Sequence, residues 1–441
     1  MWWKNSVFYE AYVDRFAGTF SGFRGHLGYL ESLGIDCVHL LPFFPSGGVD
    51  GGYDVMDYCG VDARLGTVED AARCIAEAKS RGIRVIIDLV LNHTSILHPW
   101  FQEAIRNPTS PKREYYLWSK TGSEYAEAYN PFSLFKSKNW IAEPTAMAKY
   151  YATFFPEQAD LNWDNPEVTE EICRVMDFWI GLGVSGFRLD AASYLIKRDG
   201  TPCRHLPETH AALKRLRAYI DRKYSDIMLL AEANGTVETI KAYFGNGDEC
   251  HMAYDFPLMQ RMYLALAKRD ISIVTQAVAV SRDIPESCQW ATFLTCHDEI
   301  SLSAMEKEDR NPILQFLDPQ NTHPFKSGKS VAARLATALG GDPDRIIEAF
   351  QLLLCAPGSP VVYYGSEIGM KNATLPQPVR DTRWYVRGSF DWNNAQAQND
   401  DPNSLLRAVT SMLLQRKSGT LACPTALAPS TQKEAAASVI A

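Results

Sequence analysis

The sequence predicts an α/β protein folded as a closed (β/α)8 barrel. Eight short apolar runs recur along 441 residues, and helical material follows each of them. Near-continuous apolar strands separated by helices describe a parallel sheet buried on both faces, and eight such units favour closure. No G-x-G-x-x-G follows the first run, which argues against an open dinucleotide-binding sheet.

The strands are read at 7–13, 35–41, 83–90, 184–190, 227–232, 251–256, 290–295 and 359–365. Between them, HLGYLESLG (26–34) is helical and ends on Gly34, a C-cap signal. Thr67 opens T-x-x-D at the head of a helix over 67–82, close to a capping box, and Gly82 ends it. Further helices are read at 166–183, 206–224, 257–268, 342–358 and 403–417. The stretch 93–165 breaks the rhythm: it is rich in Pro, Asn, Trp and Tyr and lacks periodicity. It is too long for a plain loop, so it is expected to form an inserted subdomain after the third strand. The barrel then comprises 1–92 and 166–417, with a short tail over 418–441.

Composition narrows the function. The apolar fraction of 46 % sustains a large core, and disorder is excluded as the main state. A net charge of −8 lacks the footprint of a general nucleic-acid binder. No stretch is long and apolar enough to span a membrane. The start, MWWKNSVFYEAYV, shows no secretory leader. The ten cysteines form no C-x-x-C pair, and several lie in apolar runs. They read as buried free thiols of a reducing compartment, with no disulfide or metal frame, and a cytoplasmic protein is expected.

In such a barrel, chemistry sits at the carboxyl ends of the strands. The strand ends supply His93 in DLVLNH, Arg188 and Asp190 in GFRLD, Glu232 in LLAE, and His297 and Asp298 in FLTCHDE. Asp88, also on a strand, reads as a partner for a guanidinium at the barrel top. Three carboxylates converging on one mouth repel, and at least one of them should have a raised pKa. Glycoside cleavage is the chemistry that uses such a set. One carboxylate attacks the anomeric carbon, a neutral acid protonates the leaving oxygen, and a third binds sugar hydroxyls.

DLVLNH (88–93), GFRLDAASY (186–194), LLAEAN (229–234) and FLTCHDE (293–299) resemble, in this order, the four hallmark segments of the α-amylase superfamily, glycoside hydrolase family 13. QADLN (158–162) is similar to the fifth. The resemblance runs over nearly the whole chain and is nearest to the trehalose synthase and α-glucosidase branches. It implies that Asp190 is the nucleophile, Glu232 the general acid/base and Asp298 the transition-state stabiliser. Arg188 would hold Asp190 ionised, and His93, His297 and Gln158 would belong to the substrate site. Tyr53, in DGGYD (50–54), would stack under the sugar. Asp50 would pair with an arginine of VRDTRWYVRGSFDW (379–392), and would wall off the pocket beyond one glucose. Arg383 fits the family spacing of two arginines four apart, with Arg387, while Arg380 is the alternative.

The resemblance has departures. The stretch AGTFSGFRG (17–25) carries no carboxylate where some members hold a calcium loop. At a second calcium position Asn92 and Asp160 are present, but the third ligand position is Lys197, whose ammonium is expected to replace the ion. No metal and no cofactor are therefore expected. The family's C-terminal β-domain is expected to be absent or vestigial, which would leave a barrel flank open for self-association.

The function expected is that of a retaining α-glucoside-active enzyme. It would act on small α-glucosides such as maltose through a covalent glucosyl-enzyme, as a hydrolase, transglucosidase or isomerase. An α-glucosidase or α-amylase hydrolysing malto-oligosaccharides is the alternative, though Ser193-Tyr194 stands where long-chain α-amylases carry Lys-His. A non-catalytic amylase-like binding module is the second alternative, disfavoured because all three carboxylates are present.

Overall fold

The structure is a computed structural model and describes residues 1–424 and Leu427. Eight parallel strands close into a barrel: β1 (Phe8–Ala11), β2 (Cys37–Leu40), β3 (Arg84–Val90), β4 (Gly186–Asp190), β5 (Met228–Ala231), β6 (Met252–Tyr254), β7 (Gln289–Phe293) and β8 (Ser359–Tyr363). Each neighbours the next, and β8 pairs with β1. All eight strands fall where the apolar runs place them. Most strands are shorter than their runs; in the run 7–13, Val13 already starts a short helix, Val13–Ala17.

The local signals operate as expected. Thr67 accepts from the Asp70 amide while the Asp70 carboxylate accepts from the Thr67 amide, a capping box on helix Val68–Ser80. Asn165 caps Pro166–Gly181, with proline in the first turn. At the start of β4, a Cβ on Gly186 would lie 2.4 Å from the Met228 carbonyl oxygen. Glycine there lets β4 and β5 close up, in the register Gly186–Met228 and Leu189–Ala231, which sets the Asp190 and Glu232 ends side by side.

Segment 93–165 packs over the mouth of the barrel. His93–Ser95 pairs antiparallel with Gln158–Asp160, and Trp118–Ser119, Ala148–Tyr151 and Trp140–Glu143 make a three-stranded sheet. Helix Pro99–Arg106 lies in the same segment. A second excursion, 300–334, carries helix Lys307–Leu317 and a small hairpin of Pro324–Phe325 with Ser330–Val331.

One expectation is overturned. Cys355 and Cys423 are joined in a disulfide, with Cα atoms 5.5 Å apart, and the other eight cysteines are free. Helix Leu405–Ser418 ends on Gly419 in the left-handed region, and the chain turns back along helix Pro343–Cys355, where Gln351 donates to the Ala422 carbonyl at 3.2 Å. The two cysteines are 68 residues apart, and no spacing motif announces them. Most of the tail read at 418–441 lies outside the described residues. Among the described residues no helix is long and apolar enough to cross a membrane.

Candidate active site

The carboxyl ends of the strands surround a cavity of about 300 Å³, at the small end of the range for ligand sites. Its wall includes Asp190, Glu232 and Asp298, with Asp50, Tyr53, His93, Arg188, His297 and Arg383. Aromatic rings of Tyr129, Phe132, Phe154 and Phe256 supply the apolar part.

Asp190 is the last residue of β4, and Glu232 directly follows β5. Arg188, two residues before Asp190 and on the same face of the strand, reaches both carboxylates. Its Nη1 lies 2.6 Å from Asp190 Oδ1, and its Nη2 lies 3.0 Å from Glu232 Oε2. The same Nη1 lies 2.5 Å from Asp88 Oδ1. Arg188 is thus divided among three carboxylates. Burial pushes the Asp190 carboxyl well above the carboxylate range; Arg188 pulls it down, and Glu232 and Asp88 push it up. The charge-assisted bond expected from Arg188 is present, but sharing the guanidinium weakens its hold on the Asp190 charge.

Asp298 has a different environment. Its Oδ1 accepts from Arg383 Nη1 at 3.0 Å and from Arg387 Nη2 at 2.9 Å. Although burial opposes it, the neighbouring His297, Arg383 and Arg387 hold Asp298 well below the usual carboxylate range.

Of the two candidate arginines, Arg383 is the one that meets Asp50: its Nη2 lies 2.8 Å from Asp50 Oδ1, and Asp381 holds the same guanidinium at 2.7 Å. Arg380 is exposed and turns to the Leu134 carbonyl. Gln158 does not line the cavity. It sits behind Asp50, donating to Oδ2 at 3.3 Å while its own Oε1 accepts from the Phe155 amide at 2.9 Å. Tyr53 stacks on His297 with ring centroids 5.2 Å apart, and its hydroxyl meets His297 Nε2 at 2.6 Å. His93 points Nε2 at the Tyr53 carbonyl, 3.2 Å away, and burial lowers its pKa to about 4, which leaves a neutral imidazole.

Several groups of this site escape a reading of strand ends. Glu10 and His39 lie inside β1 and β2, beneath the mouth. Arg204 and the Lys326–Glu299 ion pair, at 2.6 Å, come from the loops around the cavity. Only Arg387 carried a signal, its spacing from Arg383.

Lys197 Nζ lies 2.6 Å from Asp160 Oδ2 and 2.8 Å from Asn92 Oδ1, and also donates to the Tyr194 carbonyl. Asp160 further accepts from the Thr153 amide and hydroxyl. This donor set does not fit a divalent cation, because a buried ammonium already lies on the oxygens that a calcium ion would use. Among the described residues no group of three or more His, Cys, Asp or Glu is arranged to hold a metal.

Residues 5–321 match the model of the alpha-amylase catalytic domain. The chain belongs to the alpha-amylase family. Among curated proteins, it is 43 % identical to the trehalose synthase/amylase TreS of Mycobacterium tuberculosis, over 94 % of this chain and 75 % of that protein. It is 44 % identical to the trehalose synthase of Thermus thermophilus, over 89 % of this chain but only 41 % of that longer protein. Among solved structures of the family's fold, an alpha-glucosyl transfer enzyme, XgtA, superposes with a TM-score of 0.73 at 25 % identity, covering 94 % of this chain and 84 % of that one.

Proposed function

We propose that this enzyme transfers single α-glucosyl units between small sugars by a retaining, two-step displacement, as a trehalose synthase would in converting maltose to trehalose. The observation that carries the reading is the shape of the charged pocket. Three carboxylates face one small cavity, and Asp50 and Arg383, paired at 2.8 Å, stand in its wall, where they would limit it to one glucose beyond the cleaved bond.

In the first step an Asp190 oxygen attacks the anomeric carbon as Glu232 gives its proton to the departing glycosidic oxygen. The attack requires Asp190 as the carboxylate, which burial opposes and the Arg188 guanidinium, 2.6 Å away, favours. In the second step Glu232 takes the proton of the incoming hydroxyl, and the glucosyl–Asp190 ester breaks with the same anomeric configuration restored. Asp298, kept anionic by two arginines, binds hydroxyls of the distorted ring. Tyr53 offers its ring face, and His297 and the neutral imidazole of His93 hydrogen-bond the sugar.

A hydroxyl of the retained glucose, in place of water, completes the isomerisation. Segment 93–165 and the hairpin at 324–331 both contribute side chains to the cavity wall, which favours retention of the leaving sugar over its escape. We further propose that Lys197 serves in place of calcium. Treatment with a chelator should leave activity unchanged, and a loss restored by calcium would refute this part.

The deciding experiment follows maltose by NMR. Trehalose with little free glucose is the expected product. Glucose alone would make the enzyme a hydrolase, and a β-configured first product would exclude the covalent mechanism.

A further inference from the structure

Beneath the mouth, four adjacent strands place ionisable side chains in one interior layer: Glu10 on β1, His39 on β2, Asp88 on β3 and Arg188 on β4. Glu10 and His39 are register partners, as are Asp88 and Arg188, and none of the four is more than 3 % exposed. Barrel interiors are filled mainly with branched apolar residues, so a charged layer of this kind must pair internally or be costly.

The pairing is continuous. Glu10 Oε1 accepts from the His297 amide at 3.0 Å and meets its Nδ1 at 2.8 Å. Glu10 Oε2 lies 3.4 Å from His39 Nδ1. His39 Nε2 lies 2.9 Å from Asp88 Oδ2, and Asp88 Oδ1 lies 2.5 Å from the same Arg188 Nη1 that meets Asp190. A carboxylate on each side, at 2.9 and 3.4 Å, favours the charged His39 ring, whose Nε2 hydrogen-bonds Asp88 while its Nδ1 faces Glu10 at ion-pair distance without a hydrogen bond among the described residues.

We propose that Glu10 and His39 are positioning residues that favour the ionised Asp190: the His39 cation offsets the charge of Asp88, which lightens the demand Asp88 makes on the Arg188 guanidinium that the two aspartates share. The proposal rests on the reading of Asp190 as nucleophile. Without the cation, the full charge of Asp88 falls on Arg188 and adds to the field on Asp190. The groups facing this chain are Tyr53 and His297 at the mouth, Tyr254 from β6 beside Glu10, and Glu232 and Asp50 beside Asp190. Of these, only His297 adds to the positive field at Asp88, and it adds less than Arg188 and His39 do. Burial lowers the His39 pKa, but Asp88 and Glu10 outweigh it and raise it to about 9.

The test is the pH dependence of kcat/KM of the full chain on p-nitrophenyl α-glucoside, comparing wild type with His39→Gln. The acid limb, which reports ionisation of the attacking carboxyl, should move up by about one pH unit. A folded variant whose acid limb is unmoved overturns the proposal. Asp190→Asn is measured alongside. If it stays active, the nucleophile assignment is the part that fails; if it is dead while the His39→Gln limb is unmoved, this inference alone fails. Nitrogen-15 histidine spectra of the wild-type protein test the charge without any variant. An imidazolium signal persisting at about pH 8 is expected, and its absence overturns the proposal.

Discussion

Two clusters of buried charge lie close together at the top of this barrel, and they are built to opposite ends. Around Lys197, the ammonium meets three acceptors, Asp160, Asn92 and the Tyr194 carbonyl, and Asp160 is completed by Thr153. Donors and acceptors balance, as they do in a cross-link. Around Arg188, one guanidinium is divided among Asp88, Asp190 and Glu232, and its Nε has no hydrogen-bond partner among the described residues. Carboxylates there outnumber the cations within reach. A satisfied cluster stabilises the fold; an unsatisfied one stores repulsion that a sugar or a proton can relieve.

The contrast can be broken at either cluster. Asp190→Asn should lower kcat by a factor of about a thousand or more. Its thermal midpoint should match or exceed that of the wild type, because a buried carboxylate with a raised pKa is removed. A clear loss of stability would mean that the mouth is not strained. Lys197→Ala should do the reverse at the other cluster. It leaves the Asp160 charge buried without its ion-pair partner and should cost about 3–5 kcal/mol in urea unfolding. An effect below about 1 kcal/mol would erase the distinction drawn between the clusters.

Arg383→Lys sharpens the comparison at the Asp50 side of the pocket wall. A single ammonium cannot reproduce contacts to Asp50, Asp381 and Asp298 together, so kcat/KM for disaccharides should fall by about ten- to a hundredfold. The layer beneath the mouth gives a smaller, pH-dependent effect. The His39 pKa is raised from 6.5 to about 9, so its ion pairs stabilise the fold fully below 6.5. That contribution fades as pH rises through about 9. The urea midpoint should fall over this window in the wild type and fall less in His39→Gln. The smallest expected effect is a count: alkylation of unfolded, unreduced protein should label eight of the ten cysteines, because Cys355 and Cys423 are joined. Labelling of all ten would remove the disulfide from the account.

The legibility of the sequence follows the same division. Barrel strands are short apolar runs with helices between them, so local pattern alone located all eight. Asp190, Glu232 and Asp298 stand beside strand ends in long recognisable segments, and they were readable for that reason. Glu10 and His39 sit within strands, where the pattern gives no hint that a polar side chain points inward at a neighbour's charge. Arg380 and Arg383 are three positions apart in one loop, and only the path of that loop directs Arg383 to Asp50 and Arg380 to the surface. The stretch 93–165 offered too little periodicity for its small sheets to be drawn, because their strands are held by long-range pairing.

The order of strands and helices, the closure of the barrel and the residue types at its mouth were determined by the sequence, since apolar periodicity, caps and turns act over a few residues. How the charge is shared was decided by the tertiary structure. How Arg188 is divided among three carboxylates, how two arginines share Asp298 and which two cysteines meet all depend on groups far apart in the chain. Electrostatic strength is set by separation in space and by the exclusion of water, and neither is written in the order of residues.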